Sequence, residues 1–454
     1  MPGASRKWTA FCLVLLLLAG VEFVLRGPVR AIRLASEFND FLSPYIQARA
    51  WMRGLDPYSS QMLLQLWPPG AAHFTFLAKE VADGSIIATR GIPTAYPLTS
   101  LVLIAPFSLL PWRAAEALWL ALNLGLFAGM LRALLALAGV SWHDCSGVLL
   151  MAGVLALAPF HTGIVTGNVA LVAIELAVIA IWTARRHRDL ATAVLLAASV
   201  GLKPQIGLAF VAYYLVRRRW RVCAGTLALL ALLFAVGAAR LEFGHTPWLQ
   251  DYLRDNRVLL QTGILANFTN VNPTRFGLIN LQVVLYSILR SVPLANAAAA
   301  VLAAVLFLLW LLAVARRNTV SVELLDLSAV AVLSLLPIYH RFYDAAVLVL
   351  PLCWVVVSFR RARILSAATL LLMLPFLIPG GTLLQSMENA GHFSPAVTSR
   401  WWWEAVVMPH QVWTLFFLSL LLLYEMIWCS PDRFAERDSV LHGGSPSFPS
   451  ATMP

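Results

Sequence analysis

Long apolar runs, separated by short polar breaks, dominate this chain. About 20 apolar residues span a bilayer as a helix, and the runs at 9–25, 113–139 and 405–428 are of that order. Hydrophobic residues fill 60% of the 454 positions and charged residues only 12%, which is outside the usual range of soluble globular chains. The runs do not alternate in polarity, which excludes a membrane β-barrel. The sequence therefore predicts an all-α polytopic membrane protein.

The net charge of +11 comes largely from arginines that stand beside the apolar runs. Such clusters set membrane topology, because positive loops stay in the cytoplasm. The charge therefore gives no support for nucleic acid as a partner, whereas membrane lipids are expected neighbours. With Arg6 and Lys7 before it, the first run is predicted to be a retained span, so that both termini are cytoplasmic in the inner (plasma) membrane. Four further clusters carry this assignment: 185–188, 217–221, 316–317 and 360–363.

Counting spans between these clusters gives about twelve transmembrane helices within one domain, residues 1–429. Parity requires that 276–290 lie along the outer surface instead of crossing, which its polar residues permit. It also requires that one of four early apolar pieces fail to cross, and the sequence does not say which. These pieces are 97–110, 113–139, 147–160 and 168–184. The predicted outer loops are 27–96, 241–292 and 379–404, and 430–454 is predicted to be a disordered cytoplasmic tail.

The first outer loop carries an aspartate close to the end of span one. Tyr45, Ala48 and Trp51 recur at helical spacing, so 41–53 is predicted to be an amphipathic helix at the membrane interface. Asp40 stands just before it. A carboxylate there is either a general base acting on an acceptor hydroxyl or the N-cap of the helix. By contrast, Asp56 precedes a proline in a turn and is interpreted as structural.

The predicted hairpin between 189–202 and 205–216 turns at an unusual lysine. Lys203 lies between two apolar runs with no carboxylate nearby in sequence, and a buried ammonium is costly unless an anion meets it. We therefore expect Lys203 to contact phosphate, with snorkelling to headgroups as the alternative. Pro204 breaks the helix, so freed backbone groups and Gln205 can line the same cavity.

A second polar turn lies between the predicted spans 323–338 and 343–359. It contains His340, Arg341, Tyr343 and Asp344. Arginine binds phosphate bidentately, which makes Arg341 a candidate donor clamp. The alternative is an ion pair between Arg341 and Asp344 that closes the loop. Three further polar residues at predicted outer ends are weaker candidates: Tyr96, Asn168 and Arg275.

The five cysteines are scattered, without a CxxC motif or a metal-ligand spacing. Neither a disulfide framework nor a zinc site is indicated.

Taken in order, these motifs resemble glycosyltransferase family 87, whose members have the GT-C-type fold. The likeness covers about residues 10–380 and depends on the order of the motifs more than on any one of them. The motifs are D-F-x-x-x-Y-x-x-A-x-A-x-x-x-G-x-D-P-Y from Asp40, Y-P-L from Tyr96, G-N-V-A-L from Gly167, L-K-P-Q from Leu202 and H-R-F-Y-D from His340. Two positions depart from the family pattern. Leu98 replaces the second proline of the usual Y-P-P, and Ile46 replaces the second of two tyrosines.

The resemblance implies a polyprenyl-phosphate-mannose-dependent mannosyltransferase of the cell envelope. Asp40 then matches the catalytic aspartate, His340 a histidine near the donor, and Lys203 the K-P-Q element. The implied reaction is an inverting transfer on the outer face to a lipid or glycan acceptor, with the lipid-linked sugar as substrate and no metal or other cofactor. Arginine and lysine would stabilise the departing phosphate.

Two alternatives stay open at this stage. A polytopic lipid or solute transporter would have similar spans, but transporters usually place broken helices near the bilayer midplane, whereas the polar motifs here collect at one face. A GT-C enzyme with a polyprenyl-phosphate pentose or glucose donor would be hard to distinguish by sequence.

Overall fold

The structure, a computed structural model, describes residues 6–33, 39–71, 96–261, 266–272, 274–316 and 323–428, and these are almost entirely helical. In chain order the first helices are α1 Arg6–Arg26, α2 Pro28–Arg33, α3 Asn39–Met52, α4 Ser60–Gln65, α5 Leu98–Ser108, α6 Trp112–Ala138, α7 Cys145–Ala156, α8 Ala158–Thr166, α9 Val169–Arg185, α10 Asp189–Leu202 and α11 Pro204–Val216. The remainder are α12 Trp220–Glu242, α13 Trp248–Gln261, α14 Leu281–Leu289, α15 Val292–Arg316, α16 Glu323–Ser334, α17 Val349–Ser358, α18 Arg363–Met373, α19 Gly380–Asn389, α20 Pro395–Thr398 and α21 His410–Trp428.

Several of these helices are long and apolar enough to cross a membrane, which confirms the all-α polytopic class. Six qualify among the described residues, or seven if the bent pair α7 and α8 counts as one span. Four shorter apolar helices accompany them: Leu98–Ser108, Asp189–Leu202, Pro204–Val216 and Phe342–Ser358. The expected count of about twelve spans is therefore higher than the number of full-length helices, because several apolar pieces are too short to cross alone.

Two of the four early apolar pieces depart from a simple crossing. Helix α5 has 11 residues, about 16 Å, which is roughly half the hydrocarbon thickness. Helices α7 and α8 form the bent pair, with an angle of 49° between them. The bend falls at Leu157, two residues before Pro159, where the backbone is extended. The other two pieces, α6 and α9, are each one continuous helix.

The segment expected to lie along the surface contains only short elements. A 3₁₀ turn covers Arg275–Gly277, and α14 has nine residues, too few to cross a bilayer. Leu278 forms an isolated antiparallel bridge with Arg341, the one β pairing in the described part of the chain. This bridge ties the segment to the turn that follows α16.

Helix α3 matches the predicted helix 41–53 in extent but not in environment. Its apolar seam is buried as expected, yet Ile46, Gln47 and Ala50 on other sides of the helix are also buried. Gln47 donates from Nε2 to the carbonyl of Pro57 at 3.0 Å, and Trp51 donates from Nε1 to Gly237 at 2.9 Å. The prediction of an amphipathic helix with one exposed side is therefore wrong, because other elements surround α3. Its place at the membrane interface stays a prediction.

The arginine-rich breaks lie at helix ends far from Lys203. Helix α9 ends at Arg185, which pairs with Glu323 at the start of α16 at 3.1 Å. Arg219 pairs with Asp189 at the start of α10 at 2.6 Å. Lys203 stands at the other end of α10, about 20 Å along the helix axis. The basic clusters and the K-P-Q turn thus occupy opposite ends of the same helices.

Two predicted regions lie outside the described residues. These are the tail 430–454 and two stretches of the predicted first outer loop, residues 34–38 and 72–95.

Candidate functional site

The aspartate of the first outer loop contacts the start of a distant helix. Asp40 is the second residue of α3, and its Oδ2 accepts a hydrogen bond of 2.8 Å from Nδ2 of Asn168. Asn168 directly precedes α9, and its Oδ1 accepts from the backbone N–H of Ala170 at 2.8 Å. The amide of Asn168 therefore caps α9 with its oxygen and binds Asp40 with its nitrogen.

Aromatic packing brings these two helix starts together. The ring of Phe41 stacks on Trp119 with 4.5 Å between centroids. Trp119 donates from Nε1 to the carbonyl of Gly167 at 2.9 Å. Gly167 ends α8 with φ +67°, a left-handed conformation that glycine adopts without strain. The contact between Asp40 and Asn168 is thus built on a rigid corner between α6, α8 and α9.

A buried carboxylate lies at the centre of the turn after α16. Asp344 accepts from Nζ of Lys203 at 2.5 Å through Oδ1. Its Oδ2 accepts from the backbone N–H of Arg341 at 3.0 Å and lies 3.0 Å from Nδ1 of His340. His340 and Asp344 are completely buried, and Lys203 is 7% exposed. One aspartate therefore organises the K-P-Q turn and the H-R-F-Y-D turn together.

This arrangement fixes the tautomer expected for His340. An ionised carboxylate only accepts hydrogen bonds, so Nδ1 must carry the proton. Nε2 is then an acceptor, and it is buried without a hydrogen-bond partner among the described residues. A partnerless buried nitrogen costs free energy unless a ligand or water meets it. His340 thus holds an unused proton-accepting atom beside the ion pair.

The carboxylate partner of Lys203 could not be found from the local sequence. The ammonium was expected to need an anion, and Asp344 supplies one from 141 positions away. Lys203 also lies over the ring of Tyr343, with 5.0 Å from Nζ to the centroid. Snorkelling does not describe this buried side chain. A phosphate contact of Lys203 stays a prediction.

Arg341 is held by its neighbours in the turn. Its Nε donates to the hydroxyl of Tyr339 at 3.2 Å. The carboxylate of Asp344 binds the Arg341 backbone, as part of a capping box at the start of the 3₁₀ helix Phe342–Leu348. Asp344 therefore closes the loop through its bonds to the Arg341 backbone, His340 and Lys203. An ion pair of its carboxylate with the Arg341 side chain stays a prediction.

Asp40 and the turn after α16 are close enough for their charges to interact. Burial and the nearby negative charge of Asp40 raise the pKa of Tyr96, Tyr339 and Tyr343. The charge of Asp40 also acts on the guanidinium of Arg341. One site thus contains residues from five separate parts of the chain: Asp40, Tyr96, Asn168, Lys203, and the turn residues Tyr339, His340, Arg341, Tyr343 and Asp344.

The two remaining predicted candidates lie in different surroundings. Gln205 is half-buried in the first turn of α11, next to Lys203 in sequence. Arg275 is buried in a separate network, where Glu404 pairs with both Arg275 and Arg290. The guanidinium of Arg275 also lies 4.4 Å from the ring centroid of Phe276. Its contacts therefore join two of the predicted outer loops, 241–292 and 379–404.

Sequence reasoning did not single out Tyr339 or Glu404 as contact residues. Tyr339 is adjacent to the polar turn, so its position beside His340 was a usable signal. Glu404 follows three tryptophans at the end of a predicted outer loop, but no local pattern indicates its two arginine partners. Within the described ranges, no group of three or more His, Cys, Asp or Glu side chains could hold a metal ion.

A comparison with protein families gives one match. The model of glycosyltransferase family 87 matches residues 94–337, more than half of the chain. The matched range contains Tyr96, Asn168 and Lys203, whereas Asp40 and the turn from Tyr339 lie outside it. Searches of curated proteins and of solved structures found no match.

Proposed function

The chain belongs to glycosyltransferase family 87, and we propose that it transfers mannose from a polyprenyl-phosphate donor to a hydroxyl of a lipid or glycan acceptor. The family membership makes it a membrane glycosyltransferase; the sugar, the donor lipid and the acceptor are our proposal. The observation that carries it is the hydrogen bond that holds Asp40 at Asn168, where its charge reaches the guanidinium of Arg341. Asp40 is thereby the carboxylate near Arg341 that is not already bound by Lys203, as Asp344 is.

Asp40 supplies the general base in the proposed reaction. It takes the proton of the acceptor hydroxyl while the hydroxyl oxygen attacks the anomeric carbon of the donor sugar. The bond from that carbon to the phosphate oxygen breaks, and its electron pair leaves with the polyprenyl phosphate. Attack opposite the leaving group inverts the anomeric centre. Asp40 is half-buried, so its carboxylate is accessible to an acceptor.

The turn after α16 and the K-P-Q turn would bind the departing phosphate. Arg341 offers several N–H donors in a fork that matches phosphate. The charge of Lys203 is balanced by Asp344, so the positive charge available to the phosphate comes from Arg341. Gln205 adds an amide donor at the start of α11. With this stabilisation the proposed reaction requires no metal or other cofactor.

We place this reaction on the outer face of the plasma membrane. The arginine clusters lie at the ends of α9 and α10 that are distant from Asn168 and Lys203. If positive clusters mark the cytoplasmic side, both termini are cytoplasmic and the site faces outward. A lipid-linked donor with its sugar on that face fits this orientation.

The alternative of a transporter or flippase loses its support with the family membership. A donor with another sugar remains a competing form of the same proposal, because a pentose or glucose polyprenyl phosphate presents the same leaving group. The test is direct: purified protein in detergent receives synthetic polyprenyl phosphates carrying mannose, glucose or arabinose, together with a lipid extract of the source cells as acceptor. Mass spectrometry identifies the products.

We expect a new hexose-bearing lipid or glycan with the mannose donor and the release of polyprenyl phosphate. If product formed only with the glucose donor or only with the arabinose donor, that sugar would replace mannose in the proposal. Product from a nucleotide sugar, with none from any polyprenyl phosphate, would contradict the proposed donor class.

A further inference from the structure

Asn168 makes two bonds that require opposite chemistry from one side chain. Its Oδ1 accepts from the N–H of Ala170, and its Nδ2 donates to Oδ2 of Asp40, each at 2.8 Å. Asn168 is 2% exposed, so water offers few alternative partners. Because the cap fixes the amide oxygen, the amide nitrogen can point in only one direction. That direction is toward Asp40.

We propose that Asn168 is the positioning residue of the catalytic base. It holds Oδ2 of Asp40 and leaves Oδ1 to take the proton from the acceptor hydroxyl. This inference rests on the proposed function, in which Asp40 is the base. Asn168 itself touches no reacting atom in this scheme; it acts only through the carboxylate that it orients.

The surroundings make the amide a rigid support. Asn168 follows Gly167, whose carbonyl is bound by Trp119, and Trp119 stacks on Phe41 beside Asp40. The chain neighbours of Asn168 and of Asp40 thus contact the same indole ring. A base held within a few tenths of an ångström keeps its geometry for proton transfer, and small displacements are costly in rate.

Only asparagine satisfies both demands at this position. Serine caps helices as well as asparagine does but has no amide to reach Asp40. Aspartate also caps, yet it only accepts hydrogen bonds when ionised, and it would place a second negative charge against Asp40. Alanine would lose both contacts. The substitutions Asn168→Ser, Asn168→Asp and Asn168→Ala therefore separate the cap from the support of Asp40.

The experiment measures transfer from synthetic polyprenyl-phosphate-mannose into a lipid extract, with pH–rate profiles and thermal unfolding in the same detergent. We expect Asn168→Ser to keep the unfolding temperature of the parent while kcat falls about 10- to 100-fold, the loss of one hydrogen bond to a charged group. The KM for the donor should not change. Asn168→Asp should also fold and should move the acidic limb of the profile upward by about one pH unit or more, because two adjacent carboxylates cannot both ionise readily.

A matched control comes from Asn272, which has the same bonding pattern without a carboxylate. Its Oδ1 accepts from the N–H of Thr274 at 2.9 Å, and its Nδ2 donates to the carbonyl of Asn267 at 2.6 Å. Asn272→Ser should leave kcat and the pH profile unchanged. A parent-like kcat and pH profile in both Asn168→Ser and Asn168→Asp would overturn the positioning role.

Asp40→Asn separates this inference from the proposed function. If Asp40→Asn is inactive while the two Asn168 variants behave as the parent does, only the role of Asn168 fails. If Asp40→Asn retains full activity, the base assignment fails, and the positioning role falls with it.

Discussion

The Nζ atom of Lys203 lies 2.5 Å from Oδ1 of Asp344, in a buried pair that joins the α10–α11 hairpin to the turn after α16. Both residues stand at breaks between apolar helices, where a proline or a 3₁₀ turn interrupts the regular bonding. A buried charge without a partner would be costly at either break. The two charges therefore stabilise one another. The same aspartate holds His340, so the pair also sets the geometry of the proposed donor site.

A double-mutant cycle should reveal strong coupling in this pair. Lys203→Met leaves Asp344 buried without its cation, so we expect a loss of about 3 to 5 kcal/mol in unfolding free energy. Asp344→Asn should cost a similar amount for the converse reason. The double variant should lose clearly less than the sum, because no charge is then left alone. Chemical unfolding in detergent measures all four proteins; additive losses would mean that the two charges do not depend on each other.

Two substitutions of His340 should separate its two ring nitrogens. The amide of asparagine can reproduce the Nδ1 donor to Asp344, whereas the longer glutamine side chain extends its amide toward the Nε2 position. His340→Asn should therefore unfold at nearly the parent temperature and lose about 10²-fold or more in turnover. His340→Gln should be less stable and keep more activity relative to its folded fraction. Equal activity in the two variants would argue against a role for Nε2.

Hydropathy alone located the helices of this site well but not their contacts. The predicted pieces 168–184 and 205–216 differ by a residue or so from α9 and α11, because apolar runs and proline breaks are local properties. Asp344, the partner of Lys203, is 141 positions away, and no local pattern points to it. The contact between Asp40 and Asn168 spans 128 positions.

The environment of α3 was also beyond local reasoning. Its seam of Tyr45, Ala48 and Trp51 indicates one buried side, which the structure has. The sequence cannot show that the polar Gln47 also finds a buried partner in the carbonyl of Pro57. Polar residues on one side of a helix therefore predict an exposed side even where the fold surrounds the helix.

Topology can be tested with single cysteines and a membrane-impermeant thiol reagent applied from outside the cell. Gln250 on α13 and Gly391 after α19 are exposed and belong to predicted outer loops, so cysteines at these positions should react. Arg188 is equally exposed but lies in a predicted cytoplasmic cluster, so a cysteine there should react only after the membrane is permeabilised. The parent protein gives the background from native cysteines. Labelling of position 188 in intact cells would reverse the assignment of faces.

The attachment of α13 to the loop after α3 should weaken as pH rises. Burial raises the pKa of Asp56 to about 6 and that of Asp255 to about 7, and Asp251 beside them raises both further while Arg254 lowers them. Aspartates in an unfolded chain titrate near about 3.9. Because the pKa values in the folded protein are raised, the stability contribution is fully present below about pH 4 and is lost as pH rises through about 6 to 7.

Hydrogen exchange of α13, corrected for the intrinsic pH dependence, should thus be faster at pH 8 than at pH 5. The neutral variant Asp255→Asn should reduce this difference, and peptides from α12 should show none. A pH-independent exchange rate in the parent protein would contradict the shared titration of these carboxyls.

The final prediction separates the two aspartates of the first outer motif. Asp40 makes its contact with Asn168 on another helix, whereas Asp56 accepts from the N–H of Tyr58 at 2.9 Å within its own turn. Asp40→Asn preserves size and one acceptor oxygen, so the protein should fold and bind donor, but it cannot take a proton. We expect turnover to fall about 10²- to 10⁴-fold.

Asp56→Asn keeps the turn acceptor and removes only a charge that burial disfavours, so it should remain active. Transfer by the two purified variants, with donor binding measured separately, checks both outcomes. If Asp56→Asn were inactive and Asp40→Asn transferred sugar at the parent rate, the base would have to be sought among Asp56, Asp251 and Asp255.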